Sequence, residues 1–212
     1  MGNGIAQVCA QAGMQVVLFD INEQAVAAGM ANIERMLSKA VEKGKASLEE
    51  TKAALALVST STDLAASCAD AQLVVEAIPE KLELKQSVMA QIEDAVNNVC
   101  LIASNTSSLS ISKIASSMSC PQRFIGMHFF NPVPLMALLE VVVGEQTSEA
   151  NIELAVELSK RLGKEPIVVQ DAPGFASSRL GVCIGLEAMR MVEEGVASAA
   201  DIDKAMELGY RH

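Results

Sequence analysis

Two polar residues in apolar surroundings are the first candidates for chemistry. His128 is one of only two histidines and lies in an apolar run, and Glu140 follows twelve residues later inside the apolar stretch from Leu138 to Val143. An imidazole titrates near neutral pH and acts as a general base when a neighbour holds its tautomer. A carboxylate in an apolar strand is costly unless it is paired. The two residues are therefore candidates for a catalytic pair; taken singly, a structural histidine and a solvent-facing glutamate are the alternatives.

Further polar side chains follow apolar runs. Asn105 and Ser107 come directly after the run from Cys100 to Ala103, and Asn131 follows a later one. Ligands collect at the carboxyl ends of the strands in open α/β sheets, so these side chains are candidates for a binding site. For Ser107, a cap of a helix that begins near Ser110 is the alternative.

The amino-terminal segment carries half of a dinucleotide-binding signature. Gly2-Asn3-Gly4 leads into a helix that ends near Gly13, and the next apolar run ends on Asp20, 18 residues after Gly2. In a dinucleotide site a helix amino terminus faces the pyrophosphate, and a strand-end acid accepts hydrogen bonds from the adenosine ribose. An acid there repels a 2′-phosphate, which favours NAD over NADP. The full signature needs two more glycines and a preceding strand, so a helix entry and a strand-end turn are the alternative for this segment alone.

The composition argues against several functional classes. Lys and Arg number 16 against 26 Asp and Glu, the net charge is -10, and aromatic residues make up 3% of the chain, all of which disfavours nucleic acid as a partner. The apolar runs are shorter than the roughly 20 residues that cross a bilayer, so no membrane span is predicted. Five widely spaced cysteines without a C-x-x-C motif favour reduced thiols in a cytoplasmic protein over disulfides or a zinc site.

Short apolar runs alternate with amphipathic stretches, which predicts βαβ units, a mainly parallel sheet and the α/β fold class. A long amphipathic helix is predicted from Asn22 to about Lys45, and Leu48 to Leu57 is predicted to double back as the second helix of a hairpin. The predicted strands are Met14 to Asp20, Leu73 to Ile78, Cys100 to Ala103, Arg123 to Phe129, Leu138 to Val143 and Pro166 to Val169.

The pattern of the sequence changes at Asp171-Ala-Pro-Gly, whose residue types favour a turn. The stretch from Phe175 to Leu208 predicts two helices and no strand. We therefore expect a dinucleotide-binding domain over residues 1–171 and the beginning of an all-helical domain over residues 172–212.

Several stretches in a fixed order carry a resemblance to a known family. They are Met1-Gly-Asn-Gly-Ile-Ala-Gln7, Val17-Leu-Phe-Asp20, Val74-Val-Glu-Ala-Ile-Pro-Glu80, Ser104-Asn-Thr-Ser-Ser108, Gly126-Met-His-Phe-Phe-Asn-Pro-Val-Pro134, Leu139-Glu140 and Asp171-Ala-Pro-Gly-Phe175. Together they resemble the 3-hydroxyacyl-CoA dehydrogenase family, and most closely its 3-hydroxybutyryl-CoA dehydrogenases, over essentially the whole chain. The resemblance implies a Rossmann-like, doubly wound sheet.

The resemblance also implies an activity. The enzyme would oxidise the 3-hydroxyl of an acyl-CoA, 3-hydroxybutyryl-CoA in particular, with hydride transfer to NAD, in fatty-acid β-oxidation or butanoate metabolism. By the same resemblance His128 would take the hydroxyl proton, Glu140 would orient the imidazole, and Ser107 would bond the reacting oxygen. Asn131 would lie near the nicotinamide and help to seat the pair.

The resemblance assigns the remaining binding residues as well. Gly2 and Asp20 would bind the pyrophosphate and the adenosine ribose, and Asn105, Ser107 and Asn131 would border the cofactor. Glu80 and Lys85 would lie along the nicotinamide half of NAD. Lys43, on the hairpin, would meet the phosphates of CoA, and the complete helical domain would form a homodimer.

Two departures from the family pattern matter. Ser178 stands where the family places an asparagine that helps to fix the substrate, and the shorter side chain is expected to shift chain-length preference or turnover. The family begins with a strand and Gly-x-Gly-x-x-Gly, whereas this sequence starts just before the last of these glycines and stops early in the helical domain. We therefore expect a gap in the sheet between the strands that begin near Met14 and Leu73, and a truncated chain with little activity.

Two other functions remain as alternatives. One is a non-catalytic dinucleotide-binding relative that keeps the fold, and the other is a different two-domain NAD-dependent hydroxyacid dehydrogenase. The His128 and Glu140 pair and the predicted hairpin disfavour the second alternative.

Overall fold

The computed structural model describes residues 1–211, and His212 lies outside the described residues. The strands are β1 (Val16–Phe19), β2 (Val58–Ser61), β3 (Leu73–Glu76), β4 (Leu101–Ser104), β5 (Phe124–Phe129), β6 (Leu138–Val143) and β7 (Glu165–Gln170). The α-helices are α1 (Gly2–Gln11), α2 (Glu23–Glu42), α3 (Leu48–Ala56), α4 (Leu64–Cys68), α5 (Leu82–Ala95), α6 (Ile111–Ala115), α7 (Glu149–Arg161), α8 (Ser177–Glu193) and α9 (Ala199–Ala205). The predicted α/β class is confirmed, and every predicted strand is present within two residues at each end.

The strands form two sheets in the described part of the chain. One contains β1 and β2, which run parallel, and the other has the order β3-β4-β5-β6-β7. Within the larger sheet only the β5–β6 pair is antiparallel. No hydrogen bond joins β1 to β3, so the sheet is divided where the sequence predicts a gap.

Helices cover both faces of the larger sheet, as the doubly wound prediction requires. On one face α1 and α7 pack against buried residues of β4, β5 and β6, among them Ile125, Met127 and Val141. On the other face α5 and α6 enclose a second cluster that includes Phe124 and Val142. Alternate residues of one strand thus fill two different cores, which is the pleat of a strand buried on both sides.

The predicted helical hairpin consists of α2 and α3. Asn22 caps α2 by accepting hydrogen bonds from the amides of Gln24 and Ala25, and Ser47 and Glu50 form a reciprocal capping box at α3. Ile33 on α2 is buried against α1. These local signals fix where each helix begins.

The carboxyl-terminal helices have little protein around them. Helix α8 has no buried residue, and large apolar side chains on it such as Leu180 and Met189 are exposed. Across residues 1–211, no helix is long and apolar enough to span a bilayer.

Candidate functional site

A cavity of about 360 Å³ opens at the carboxyl ends of β3, β4 and β5. Parallel strands all end at this edge, so the residues that follow them meet there. The cavity brings together His128 and several of the other predicted site residues. Its walls are formed by Met1, Ala77, Ile78, Glu80, Asn105, Ser107, His128, Phe129, Phe130 and Asn131.

The histidine and the glutamate form a buried pair behind this cavity. His128 on β5 and Glu140 on β6 are direct partners in the antiparallel register. Nδ1 of His128 lies 2.7 Å from Oε2 of Glu140, and the two side chains are only 9% and 0% exposed. Since Nδ1 is engaged by the carboxylate, the other ring nitrogen, Nε2, is left for a substrate.

The Glu140 carboxylate accepts several further hydrogen bonds. Oε1 accepts from the amides of Ala176 and Ser177 at 3.2 and 2.9 Å, and Oε2 accepts from the Ser177 hydroxyl at 3.0 Å. Burial opposes ionisation of Glu140, but the bonds from His128 and Ser177 outweigh it and hold the pKa of Glu140 below its usual value. The pair therefore contains a stable carboxylate beside the imidazole.

A turn delivers Ser177 to this carboxylate. Gly174 and Phe175 both have positive φ angles, 74° and 50°, and the second is a sterically costly conformation for a phenylalanine. The Phe175 ring is buried with its centroid 5.9 Å from that of His128, and the Phe130 ring lies at 4.4 Å on the imidazole. The two aromatic rings restrict the rotation of the His128 ring.

The loop after β4 is held from two directions. Glu80 accepts hydrogen bonds from the Thr106 hydroxyl and from the amides of Ser107 and Ser108. Although burial raises the pKa of Glu80, these bonds and Lys85, with Nζ at 3.3 Å, lower it below its usual value. Glu80 therefore fixes the loop that carries Ser107.

Asp171 holds the far end of the same loop. Its carboxylate accepts from the Ser110 hydroxyl at 2.7 Å and from the amides of Ile111 and Ser112 at 3.0 and 2.8 Å, at the start of α6. Burial opposes ionisation of Asp171, but these bonds lower its pKa overall. Ser110 and Asp171 together cap α6, Ser110 by accepting from the Lys113 amide, so the Ser107 side chain is free of that role.

Lys85 lies behind the cavity and not in its wall. Its Nζ donates to Oε1 of Glu76 at 2.7 Å, with both side chains 1% exposed, and the other oxygen of Glu76 accepts from the Ser104 hydroxyl at 2.6 Å. The sequence predicted that Lys85 would lie along the cofactor. In the structure Lys85 supports Glu80 from behind, because the carboxylate of Glu76 draws it inward.

Asn105 and Asn131 both line the cavity, and different contacts hold each of them. Oδ1 of Asn105 accepts from the amide of Phe129 at 2.8 Å, which joins the end of β4 to the end of β5. The loop that carries Asn131 is held by Lys164, whose ammonium donates to the carbonyls of Val133 and Met136. Burial lowers the pKa of Lys164.

The amino-terminal residues fit a dinucleotide. Helix α1 begins at Gly2, and the amides of Gly2 and Asn3 make no hydrogen bond among the described residues, whereas those of Gly4 and Ile5 donate to the Met1 carbonyl. A Cβ atom on Gly2 would lie 3.8 Å from the Cβ of Ala77, an ordinary van der Waals contact, so the start of α1 lies against the cavity wall. Asp20 follows β1, is exposed, and accepts a hydrogen bond only from Asn22 among the described residues. Free amides and a free carboxylate are the groups that pyrophosphate and ribose hydroxyls need.

Lys43 and Ser178 also lie outside the cavity wall. Lys43 is exposed at the end of α2, at the tip of the hairpin. Ser178 lies in the first turn of α8 and makes no side-chain hydrogen bond among the described residues, whereas its neighbour Ser177 binds Glu140. The sequence comparison with the family drew attention to Ser178, and the structure draws it to Ser177.

Sequence reasoning also missed Glu76 and Lys164. Glu76 lies in the stretch Val74-Val-Glu, where an acid in an apolar strand carries the same signal as Glu140. Lys164 carried no comparable signal, because its partners are backbone carbonyls of a loop about thirty residues earlier in the chain.

The chain matches two family models in succession. Residues 1–172 match the 3-hydroxyacyl-CoA dehydrogenase NAD binding domain, and residues 174–212 match the 3-hydroxyacyl-CoA dehydrogenase C-terminal domain.

Individual relatives match over the whole chain. The mitochondrial hydroxyacyl-coenzyme A dehydrogenase of Sus scrofa is 44% identical over 99% of this chain and 68% of its own length. A probable 3-hydroxybutyryl-CoA dehydrogenase of Deinococcus radiodurans is 42% identical over 100% of this chain and 76% of its own. The crystal structure of (S)-3-hydroxybutyryl-CoA dehydrogenase from Ralstonia eutropha superposes with a TM-score of 0.95 at 44% identity, covering 100% of this chain and 75% of that one.

Proposed function

Because the chain belongs to the 3-hydroxyacyl-CoA dehydrogenase family, we propose that it oxidises 3-hydroxybutyryl-CoA to the 3-keto product. NAD is the cofactor of this oxidoreductase and, when bound, supplies the acceptor for the hydride that leaves C3 of the substrate. The observation that carries the proposal is the buried His128–Glu140 pair, 2.7 Å apart, in which His128 lines the cavity and Glu140 lies behind it.

His128 is the general base in this proposal. Nε2 accepts the proton of the 3-hydroxyl group while Nδ1 keeps its hydrogen bond to Glu140. The carboxylate holds one tautomer and stabilises the imidazolium that forms, without itself taking the proton. In the reverse direction the imidazolium returns the proton to the keto oxygen.

Ser107 and Asn131 position the reacting oxygen and the cofactor. Both line the cavity with His128, and a serine hydroxyl both donates and accepts. Ser107 is suited to this role because Glu80 fixes its backbone, so little backbone freedom is lost when substrate binds.

The cofactor is assigned to the residues that follow the strands. Gly2 at the start of α1 would bind the pyrophosphate, and Asp20 would bind the adenosine ribose. Glu80 and Asn105 would border the nicotinamide half, and Lys85 would act only through Glu80.

The acyl-CoA is assigned to the space between the cavity and the hairpin. Lys43 and Lys45 are exposed at the hairpin tip and offer cations to the CoA phosphates in a chain whose net charge is -10. Ser178 would contribute a hydrogen bond on the side of α8. We place the reaction in fatty-acid β-oxidation or butanoate metabolism in the cytoplasm, and the exposed apolar side chains of α8 support pairing of two copies of the protein.

The test is NADH formation from NAD and 3-hydroxybutyryl-CoA by the purified chain. The sequence predicts little activity for this chain, so the wild-type turnover, even if slow, is the reference rate. His128→Gln should lower that kcat by about 10²- to 10⁴-fold with NADH binding retained, because only proton transfer is removed. Lys204→Gln, an exposed change on α9, is the control. NADH binding without turnover in the wild type would instead support the non-catalytic alternative.

A further inference from the structure

Helix α8 has no capping side chain of its own. The residue before it is Ala176, which offers no acceptor, and its first turn contains no acid. The amides of Ala176 and Ser177 donate instead to Oε1 of Glu140, a residue 36 and 37 positions earlier in the chain. The carboxylate of the dyad therefore also caps the first helix after the Asp171 turn.

The second oxygen of this carboxylate is shared. Oε2 accepts both from Nδ1 of His128 at 2.7 Å and from the hydroxyl of Ser177 at 3.0 Å. Each donor partly neutralises the negative charge of the same oxygen. Because water is excluded here, both hydrogen bonds to this charged oxygen are strong. Glu140 is fully buried, so water does not compensate for the loss of either donor.

We infer that Ser177 is a positioning residue of the dyad, whose hydroxyl holds Oε2 of Glu140 and limits the negative charge that this oxygen presents to His128. The catalytic consequence of this arrangement rests on the function proposed above. The hydrogen bond itself is a property of the free protein and does not depend on that function.

Among residues 1–211, Glu140 is the one residue that forms an ion pair with His128. Helix α7 packs on the opposite face of β5 and β6, so its charges do not face the imidazole. The other charged groups on elements around this face are Glu80, Lys113, Glu165, Asp171 and Arg179, together with those further along α8. Of these, Glu80 shares the cavity with His128, and its charge is engaged by Lys85.

Removal of the Ser177 hydroxyl should shift the protonation of His128 in one direction. In Ser177→Ala the amides of Ala176 and residue 177 still donate to Oε1, but Oε2 loses a donor and presents more negative charge to Nδ1. The imidazolium is then stabilised, so protonation of His128 occurs at higher pH. One hydrogen bond to a carboxylate corresponds to a shift of about 0.5 to 1 pH unit.

The first experiment is an NMR titration of the free protein labelled with ¹⁵N-histidine. The chain has two histidines, so a His212→Gln background leaves the signal of His128 alone. We expect the titration midpoint to rise by about 0.5 to 1 pH unit in Ser177→Ala and to return to the wild-type value in Ser177→Thr, which keeps a hydroxyl. Ser198→Ala, which removes the hydroxyl cap of α9, controls for a general effect on helix stability and should leave the midpoint unchanged.

The second experiment uses both directions of the reaction. Oxidation needs neutral His128 and reduction needs the protonated form, so Ser177→Ala should lower kcat/KM for oxidation at acid pH by about 3- to 10-fold and raise reduction of the 3-keto substrate at alkaline pH. A purely structural defect would lower both rates. Opposite signs therefore support a positioning role.

The outcomes separate this inference from the proposed function. A Ser177→Ala midpoint equal to that of the wild type overturns the inference, whatever the activity, whereas a shifted midpoint in a chain without turnover supports it and counts against the dehydrogenase. If Ser177→Ala does not fold, Ser177→Cys takes its place, because a thiol is a weak donor. An intermediate midpoint is then expected, and an unchanged one overturns the inference.

Discussion

Lys85 and Glu76 form an ion pair whose side chains are each 1% exposed. Removal of one partner of such a pair leaves an uncompensated charge in the interior. We predict that Lys85→Met lowers the free energy of unfolding by about 3 to 5 kcal/mol, measured by urea denaturation. Glu80 also loses its cation, so the affinity for NADH should fall even under conditions in which the variant is fully folded.

An exposed pair on α8 provides the control for Lys85. Arg190 and Glu187 are 3.1 Å apart, but their side chains are 62% and 64% exposed. Solvent screens such a pair, so Arg190→Met should change the free energy of unfolding by less than about 0.5 kcal/mol. Equal losses in the two variants would contradict the assignment of Lys85 to a buried network.

The predictability of single residues depended on how unusual each was in its own stretch of sequence. Glu140 could be predicted as a partner of His128 because an acid between leucine and valine needs compensation. Ser177 could not, because serine is ordinary in a helix start and its partner lies 37 residues away. Lys85 was assigned to the cofactor by the family resemblance alone, and its burial against Glu76 could not be predicted because a lysine on a helix is usually exposed.

At the scale of elements, the approach of β5 to β6 sets the dyad. Gly126 lies two residues before His128 and pairs with Val142 in the same register that pairs His128 with Glu140. A Cβ atom on Gly126 would lie 2.7 Å from the Cβ of Val142 and 2.8 Å from Ile111. We predict that Gly126→Ala destabilises the protein by about 1 to 3 kcal/mol and lowers kcat, because β6 or α6 must move away.

Gly181 is the control for Gly126, because alanine at this position should stabilise the protein. It lies inside α8 with no heavy atom within 4 Å of an added Cβ. Alanine in a helix interior is favoured over glycine by about 0.5 to 1 kcal/mol, so Gly181→Ala should stabilise the protein. Urea denaturation of the two variants measures both effects, and a stabilised Gly126→Ala would mean that the sheet is looser here than the structure indicates.

Asp171 connects two elements that are distant in sequence. It caps α6 from a position 59 to 61 residues later in the chain. Asn keeps one acceptor but turns an amide donor toward the remaining donors, so Asp171→Asn should cost about 1 to 3 kcal/mol. The exchange of the Ile111 and Ser112 amides should become faster, and KM for the substrate should rise as the Ser107 loop loosens. Asp203→Asn, an exposed change on α9, is the control, and unchanged exchange at both amides would contradict the capping role.

The elements that could be predicted were those with strong local patterns. The hairpin helices were predicted from their amphipathic spacing and caps, and the buried strands from continuous apolar runs. Strand β2 was missed because Val58-Ser-Thr-Ser contains one apolar residue, and it is held as a strand by pairing with β1. The pairing is a long-range contact that a local pattern does not contain.

At the scale of the whole molecule, two electrostatic effects act in opposite directions as pH falls. The net charge is -10 at pH 7 and the isoelectric point is about 4.7, so acidification toward pH 5 relieves general repulsion. Glu80, Glu140 and Asp171 have pKa values held below their usual range by hydrogen bonds in the folded state. The folded protein therefore binds fewer protons than the unfolded chain, and the stabilisation from these groups is complete above about pH 4.5 and is lost as pH falls through their folded pKa values.

We therefore predict that stability rises slightly from pH 7 to about pH 5 and then falls below about pH 4. Urea midpoints measured from pH 7 to pH 3 test this profile. Salt separates the two causes: at about 0.5 M NaCl the general repulsion is screened, so the rise should disappear. The hydrogen bonds to these carboxylates, of which Glu140 is buried and Asp171 half-buried, are screened less, so the fall should remain. In Asp171→Asn one of the three groups no longer titrates, so its loss of stability below pH 4 should be shallower than that of the wild type. Midpoints that stay constant down to pH 3, or a fall that salt abolishes, would contradict the assignment of acid sensitivity to the site.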